Sequence, residues 1–269
     1  MKPQKFMKKL LSTAIQAAIE AGAEIMKIYT NDFQVELKSD NSPLTMADQN
    51  ANTVINSYLI KTNIPIISEE NKQTDFQERK NWETCWMVDP LDGTKEFVKR
   101  NGEFTVNIAL IANNKPILGV IYVPVTKTLY YAIVAEQKAY KTILGKHTSS
   151  GVALFTPKDK IHPKKDYKET IKVVGSRSHK SAETEAFIQS LEEQGKQVQI
   201  VSKGSSLKFC LVAEGEANIY PRFAPTMEWD TAAGHAICNA VGLKVWQVSK
   251  EKELQYNKEN LLNPYFIVA

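Results

Sequence analysis

Apolar residues at the start of the chain recur with a helical period. They are spaced three or four positions apart and include Phe6, Leu10, Ala14, Ala17, Ala21, Ile25 and Ile28. This spacing predicts an amphipathic helix from Pro3 to Tyr29. Lysines ahead of a small-residue run imitate a secretory signal, but Gln16 and Glu20 interrupt the apolar stretch, which favours a helix of the folded domain. No segment approaches the roughly 20 apolar residues of a membrane span.

The pattern then changes from helical to extended. Phe33 to Leu37 alternates as a strand, Ala47 to Lys61 has helical spacing, and Ile64 to Ile67 is a short buried strand. Four β-rich segments separated by polar turns then predict an antiparallel meander. These segments are Thr105 to Ala112, Ile117 to Val125, Leu129 to Val134 and Ala139 to Leu144.

Strands and helices alternate in the second half of the chain, which is typical of an α/β domain. The segments are Ile171 to Val174, Ser181 to Gln194, Val198 to Val201, Ser205 to Ala213, Asn218 to Tyr220, a helix from Glu228, and strands at Lys244 to Val248 and Phe266 to Val268. Residues 145–168 are rich in Lys, Pro and Thr and are expected to form a surface loop at a domain junction. We therefore expect an α+β domain over residues 1–165 and an α/β domain over residues 166–269.

Composition limits the function. The chain has 269 residues, 43% of them hydrophobic, which suits a globular enzyme with one large core or two small ones. A net charge of +4 favours acidic small molecules slightly and is far from the footprint of a nucleic-acid-binding protein. The three cysteines have no C-x-x-C spacing, so we expect buried thiols in a reducing, cytoplasmic compartment.

Two carboxylates follow a short apolar run in the segment WMVDPLDGTKEF. Asp89 and Asp92 are three residues apart, and Gly93 and Thr94 follow them. The pattern predicts the end of a buried strand, a tight turn, and a helix with Thr94 as its N-cap. Two carboxylates about 4 Å apart repel by roughly 4 kcal/mol at an effective dielectric constant near 20. Mg²⁺ would offset that repulsion, and ordinary turn chemistry is the plain alternative.

Other acidic or phosphate-binding motifs fail on spacing. An EF-hand needs acidic residues at alternate positions and a distant Glu, which this segment does not have. The D-x-D-G-T pattern of haloacid-dehalogenase phosphatases is one residue shorter than the D-x-x-D-G-T found here. No G-x-x-x-x-G-K-[ST] occurs, which argues against a P-loop nucleotidase.

The segment Asp89 to Phe97, continuing through Asn101 to Asn107, resembles the inositol monophosphatase superfamily of metal-dependent, lithium-sensitive phosphatases. Lys95-Glu96-Phe97 is similar to the bacterial 3'(2'),5'-bisphosphate nucleotidases within it, whereas inositol monophosphatases more often have Thr-Asn-Phe there. The resemblance extends from about Thr45 to Pro264. It implies a layered αβαβα sandwich of the inositol monophosphatase and fructose-1,6-bisphosphatase type, of mixed α+β and α/β class.

The resemblance also implies a site. It assigns Asp48 and Thr94 to orienting the attacking water, with Glu69 as a further catalytic residue. Taken alone, Asp48 and Asp230 are ordinary acidic residues at helix starts, with Asp230 at an N-cap. The metal ligands that the resemblance implies, for two or three Mg²⁺ ions, are Glu69, Asp89, the Leu91 carbonyl, Asp92 and Asp230.

Small residues with a nearby basic side chain occur at Gly175 to His179 and at Gly204 to Lys208. Such strings suit a phosphate, although each is also a plain loop. The resemblance implies that Ser176, His179, Gly204 and Lys208 contact substrate, and Arg222 is a further phosphate partner. The remaining implied substrate contacts are Glu69, Leu91, Asp92, Gly93, Thr94 and Asp230. We expect His235 to be packed or exposed rather than catalytic.

The resemblance implies removal of the 3'-phosphate from adenosine 3',5'-bisphosphate, giving AMP and phosphate in sulfur metabolism, with 3'-phosphoadenylyl sulfate as a second substrate. The alternatives left open are a sugar or polyol phosphatase, a non-catalytic binder of nucleotide phosphates, and a membrane-attached scaffold. We expect a monomer or homodimer with a small-molecule partner, no nucleic acid and no integral membrane segment. Peripheral contact with the inner face of the cell membrane stays open.

Overall fold

The computed structural model describes residues 3–31, 36–37, 43–148, 150–164, 170–175, 181–249 and 252–269. The helices are α1 (Pro3–Tyr29), α2 (Met46–Leu59), α3 (Phe76–Arg79), α4 (Thr94–Val98), α5 (Ala182–Glu193), α6 (Leu207–Ala213) and α7 (Glu228–Ala240). The strands are β1 (Glu36–Leu37), β2 (Pro43–Leu44), β3 (Ile66–Ser68), β4 (Thr84–Asp92), β5 (Thr105–Ala112), β6 (Lys115–Val123), β7 (Thr128–Ile133), β8 (Lys138–Ile143), β9 (Lys160–Ile161), β10 (Thr170–Gly175), β11 (Gln197–Ser202), β12 (Tyr220–Arg222), β13 (Val245–Gln247) and β14 (Phe266–Val268).

The predicted meander is confirmed and forms most of a seven-stranded sheet. Its strand order is β3-β4-β5-β6-β7-β8-β9. Strands β3 and β4 are parallel, and every later pair is antiparallel. Of the strand expected at Phe33 to Leu37, Glu36–Leu37 forms β1, and the other three positions lie outside the described residues.

The segment expected to be a surface loop at residues 145–168 contributes to this sheet. Strand β9 pairs with β8 at its edge. Phe155 packs edge-on against Tyr131 and Tyr140, with ring centroids 5.7 and 5.5 Å apart. The Lys and Pro content obscured one half-buried aromatic side chain, which packs this polar segment against the sheet.

Helix α1 matches its predicted bounds and covers one face of the large sheet together with α2. Most of its apolar stripe, including Leu11 and Ala14, is buried there, whereas Phe6 at the start of the helix is 45% exposed. The stripe therefore faces the core from Leu10 to Ile25. Among the described residues, no helix has the length and apolarity that crossing a membrane requires.

Helix α7 covers the other face of the large sheet, α6 packs beside α7, and two small sheets lie behind these helices. One small sheet pairs β10 and β11 in parallel, and the other has the order β12-β14-β13. A bridge between Val173 and Ile219 links the two, and α5 packs outside them. The layers thus follow the expected αβαβα order. The division at residue 165 stays a prediction, and one apolar cluster includes both Met87 and Phe209 from its two sides.

Helix α7 approaches the large sheet very closely at Gly119. A Cβ atom on Gly119 would lie 2.4 Å from the Ala233 carbonyl oxygen and 2.8 Å from the Ala236 Cβ. Because interiors are close-packed, a methyl group there would push α7 away from β6. This contact fixes the distance of α7, which carries Asp230, from the sheet.

We expect Gly119→Ala to lower the free energy of unfolding by about 1–3 kcal/mol, the usual cost of overpacking. Urea denaturation measures this difference in the free energy of unfolding. Gly145→Ala is the matched control, since no atom of the residues that the structure describes lies within 4 Å of its Cβ position. Equal stability of the two variants would contradict the close contact.

Candidate active site

The acidic segment forms the irregular end of β4 rather than the expected turn. Strand β4 continues to Asp92, and its pairing with β5 shifts between Asp89 and Asp92. Gly93, with φ of 92°, is the N-cap of α4, and Thr94 is its first helical residue, so the predicted cap was wrong. A side chain at position 93 would also lie 3.2 Å from both the Glu103 carbonyl oxygen and the Ser205 Cβ. Glycine permits both the left-handed backbone and this approach.

Three carboxylates that are distant in the sequence meet at this strand end. One oxygen from each of Glu69, Asp89 and Asp230 lies within 4.8 Å of the others, and we call these residues the carboxylate cluster. Glu69 arrives there because β3 runs parallel to β4, and its N–H donates to the Val88 carbonyl at 3.1 Å. The cluster therefore draws on the two neighbouring strands and on α7.

Asp230 reaches the cluster from the first turn of α7. The N-cap is Met227, whose backbone is extended, so Asp230 is the third helical residue rather than the expected N-cap. Its Oδ2 accepts a hydrogen bond from the Met227 N–H at 2.8 Å. The carboxylate thus caps the helix through one oxygen while the side chain reaches the cluster.

The electrostatics of the cluster favour a bound cation. Burial raises the pKa of Asp89 well above its ordinary value, and the charges of Glu69, Asp92 and Asp230 raise it further. Burial also raises the pKa of Asp230 well above its ordinary value, and the charges of Asp92 and Glu69 raise it further. A divalent cation between the carboxylates would lower these pKa values again, and an all-oxygen donor set is the one that hard cations prefer. The donor set therefore fits a metal site.

Asp92 lies beside the cluster and is held by other groups. Its Oδ2 accepts hydrogen bonds from the Ser206 N–H at 2.5 Å and the Asn107 side-chain amide at 3.2 Å. Burial raises its pKa to about 6, while the charge of Lys208 and these hydrogen bonds act in the opposite direction. The carboxylate is therefore fixed in orientation at the border between the cluster and the adjoining pocket.

Asp48 and Thr94 form a hydrogen-bonded pair next to the strand end. The Thr94 hydroxyl donates to Asp48 Oδ1 at 3.3 Å and can instead reach the Leu91 carbonyl, also at 3.3 Å. Asp48 Oδ2 accepts from the Thr45 N–H and hydroxyl at 2.8 and 2.7 Å, completing a capping box. One oxygen of Asp48 thus caps α2, and the other contacts Thr94.

A polar pocket opens beside Asp92. The buried Lys208 ammonium donates to the Ser205 carbonyl at 2.7 Å, and burial lowers its pKa to about 8 against the opposing charge of Asp92. Arg222 donates to the Pro225 carbonyl at 3.2 Å through one Nη, while its Nε is buried and has no hydrogen-bond partner among the described residues. The pocket is lined by Asp92, Gly93, Lys95, Glu96, Lys203, Gly204, Ser205, Lys208, Phe209, Tyr220, Arg222, Thr226, Asp230 and Thr231.

The structure brings Asp48, Glu69, Asp89, Asp92, Thr94 and Asp230 to one region, and it places Gly93, Gly204, Lys208 and Arg222 around the pocket. Ser176 and His179 lie outside the described residues, so their substrate contacts stay predictions. His235 is a packed side chain, hydrogen-bonded to Tyr256 at 2.9 Å and Glu253 at 3.2 Å.

Sequence reasoning missed Asn107, which donates to Asp92, and Glu103, whose carboxylate accepts from the Gly204 N–H at the edge of the pocket. Asn107 is buried in β5 between apolar neighbours, and a polar residue inside such a strand was the available signal. Glu103 gave no such signal, because it precedes β5 in a polar connection. Both residues act through contacts with distant segments.

The chain matches the model of the inositol monophosphatase family over residues 7–265, and it belongs to that family. Among its relatives are proteins named 3'(2'),5'-bisphosphate nucleotidase CysQ. Those of Shigella flexneri and Escherichia coli (strain K12) are 47% identical over 267 residues, covering 97% of this chain and 99% of theirs.

Solved structures agree with this membership. The crystal structure of CysQ from Bacteroides thetaiotaomicron, described as a bacterial member of the inositol monophosphatase family, superposes with a TM-score of 0.86 at 50% identity, covering 97% of this chain and 96% of that one. The SuhB protein of Bartonella henselae gives a TM-score of 0.72 at 21% identity, covering 96% and 92%, which shows the shared fold. The predicted family and layered fold are confirmed.

Proposed function

We propose that this protein is a Mg²⁺-dependent phosphatase that removes the 3'-phosphate from adenosine 3',5'-bisphosphate, giving AMP and phosphate. The observation that carries the proposal is the meeting of Glu69, Asp89 and Asp230 beside a pocket that contains Lys208 and Arg222. The CysQ relatives, 47% identical over nearly the full length, support the substrate class. We also propose 3'-phosphoadenylyl sulfate as a second substrate and a role in sulfur metabolism.

The metal site would hold two or three Mg²⁺ ions through Glu69, Asp89, the Leu91 carbonyl, Asp92 and Asp230. These donors are all oxygen atoms, which Mg²⁺ prefers. When bound, Mg²⁺ would neutralise the negative charge on the phosphoryl group and the charge that develops on the oxygen that leaves. The chain's own contribution is to hold the phosphate between the carboxylate cluster and the pocket.

Asp48 and Thr94 orient the attacking water in this proposal. While the Thr94 hydroxyl donates to Asp48, its lone pairs remain free to accept a hydrogen bond from water. A water held in this way presents its own lone pair to the phosphorus atom. Asp48 can accept, through Thr94, the proton that the attacking water loses. The phosphoryl group then passes directly to this water, which attacks in line with the oxygen that leaves.

The second phosphate of the substrate would occupy the pocket. Lys208 and Arg222 provide two cationic side chains there, and no residue in the described part of the chain accepts from the Arg222 Nε–H. Charge-assisted hydrogen bonds to phosphate are the strong ones among protein hydrogen bonds. This arrangement favours a bisphosphate over a monophosphate.

We expect Arg222→Ala to raise the KM for adenosine 3',5'-bisphosphate by about 10- to 100-fold, because a hydrogen bond to a charged group contributes about 1.5–3 kcal/mol. Steady-state kinetics measures the change. Adenosine 3'-monophosphate is the matched substrate, since it has the reacting phosphate without the second one, and its kcat/KM should change little. Equal losses on both substrates would place Arg222 at the reacting phosphate instead.

A substrate panel with Mg²⁺ tests the function. Adenosine 3',5'-bisphosphate should give the highest kcat/KM, with activity lost in EDTA and inhibited by Li⁺. Preference for an inositol or fructose phosphate would establish the sugar phosphatase instead, and Mg²⁺-dependent binding without turnover would establish a non-catalytic binder. We further propose a cytoplasmic monomer or homodimer, for which light scattering measures the mass and vesicle sedimentation tests membrane contact.

A further inference from the structure

Glu103, in the connection between α4 and β5, contacts a loop that borders the pocket. Its Oε2 accepts a hydrogen bond from the Gly204 N–H at 2.8 Å, and its Oε1 pairs with the Lys203 ammonium at 3.3 Å. The Glu103 N–H donates to the Asn101 side chain at 2.9 Å, which fixes Glu103 itself. Residues 203–206, which we call the 203–206 loop, are thus tied to the segment ahead of β5.

The 203–206 loop packs tightly on its neighbours. A Cβ atom at Gly204 would lie 2.7 Å from the Glu96 Cγ and 2.8 Å from the Glu103 carbonyl oxygen. Ser205 follows with φ of 47°, a left-handed conformation that a residue with a side chain adopts only when its surroundings impose it. Contacts on both sides of Ser205 therefore hold the loop in its present form.

The far side of the loop contacts Asp92. The Ser206 N–H donates to Asp92 Oδ2 at 2.5 Å, and the Ser206 hydroxyl donates to Asn107 Oδ1 at 2.7 Å. Asn107 in turn donates to the same Asp92 oxygen at 3.2 Å. The orientation of the Asp92 carboxylate therefore depends on where the loop places Ser206.

We propose that Glu103 is a positioning residue that holds the 203–206 loop against the end of β4 and thereby sets the orientation of Asp92 for metal binding. The proposal rests on the proposed metal site, in which Asp92 is a ligand. Removing the Glu103 carboxylate leaves the Gly204 N–H without its acceptor and releases the strained turn at Ser205. The Ser206 N–H then moves away from Asp92, and the metal ligand loses its fixed orientation.

Calorimetric titration with Mg²⁺ tests this role directly. Glu103→Ala should bind Mg²⁺ about tenfold more weakly than the unaltered protein, since partners that orient metal ligands typically contribute 10- to 100-fold. Glu103→Gln keeps an oxygen for the Gly204 N–H and should retain the affinity. Lys203→Ala removes only a partly exposed ion pair and should also retain it.

The matched control is Glu83→Ala, an exposed glutamate at the opposite end of β4, which should leave Mg²⁺ affinity unchanged. Unaltered Mg²⁺ affinity in Glu103→Ala overturns the proposal. If melting curves in EDTA show that Glu103→Ala does not fold, Gly204→Ala displaces the loop from within, and unaltered Mg²⁺ affinity in that variant overturns the proposal too.

The Mg²⁺ titrations test the role of Glu103 separately from the proposed reaction. A protein that binds Mg²⁺ but hydrolyses no nucleotide bisphosphate refutes the proposed reaction, and the titrations still decide the role of Glu103. A protein that binds no Mg²⁺ refutes the metal site and the role of Glu103 together.

Discussion

Replacing Asp89 with Asn is expected to lower kcat for Mg²⁺-dependent phosphate release by about 10³-fold or more. Asp89 is the buried member of the carboxylate cluster. Losing its charge removes a metal ligand whose contribution to charge stabilisation is several kcal/mol, and about 1.4 kcal/mol corresponds to a factor of ten in rate. Phosphate release at saturating substrate measures the loss, and near-normal activity in Asp89→Asn would refute the metal assignment.

The same variant is expected to be more stable than the unaltered protein when metal is absent. The Asp89 pKa is raised on folding, so this group favours the folded state at low pH, and that contribution is lost as pH rises through the folded-state pKa. Asn is neutral at every pH, and its side-chain oxygen can still accept the Leu91 N–H, which donates to Asp89 at 3.0 Å. In EDTA the melting temperature of Asp89→Asn should therefore exceed that of the unaltered protein at pH 8, by more than it does at pH 5.

Asp48→Asn is expected to lower kcat by about 10²- to 10⁴-fold, the usual contribution of a positioned acid or base. Asp48 is only 2% exposed, and its Oδ1 accepts from the Thr94 hydroxyl. The Asn oxygen can keep accepting from Thr45, which turns the amide NH₂ toward Thr94 and reverses the polarity of that hydrogen bond. Thr94 then has no carboxylate to accept its hydroxyl proton, so it can no longer pass on a proton from the attacking water.

Mg²⁺ affinity should be retained in Asp48→Asn, because the variant keeps the carboxylate cluster intact. Asp75→Asn is the matched control, since Asp75 caps α3 by accepting the Gln77 N–H at 2.7 Å, and its kcat should not change. Near-normal kcat in Asp48→Asn would exclude the water-orienting role. Loss of Mg²⁺ binding would instead assign Asp48 a structural role in the metal site.

The regular elements were predictable where the periodic pattern was unbroken. The first helix, the strand Thr105–Ala112 and the last strand have the bounds that the pattern predicted. The caps were not predictable from side-chain type alone. Gly93 and Met227 cap their helices because their backbones are left-handed and extended, respectively, and those conformations depend on segments that are distant in the sequence.

The site was predictable only in part from local pattern. Repulsion between Asp89 and Asp92 indicated a cation, but Glu69 and Asp230 came from the family resemblance alone. Their convergence depends on the parallel pairing of β3 with β4 and on the packing of α7 against the large sheet, which no local spacing specifies. The contact of Glu103 with Gly204 is likewise made between remote segments.

The most direct test is a crystal structure of the Asp48→Asn variant, which should keep the metal and lose turnover, from crystals grown with Mn²⁺ in place of Mg²⁺ and soaked with adenosine 3',5'-bisphosphate. The anomalous signal of Mn²⁺ should lie between the carboxylate oxygens of Glu69, Asp89 and Asp230, with the 3'-phosphate against it and the 5'-phosphate near Arg222. Metal bound elsewhere, or no anomalous signal between these carboxylates at saturating Mn²⁺, would contradict the account.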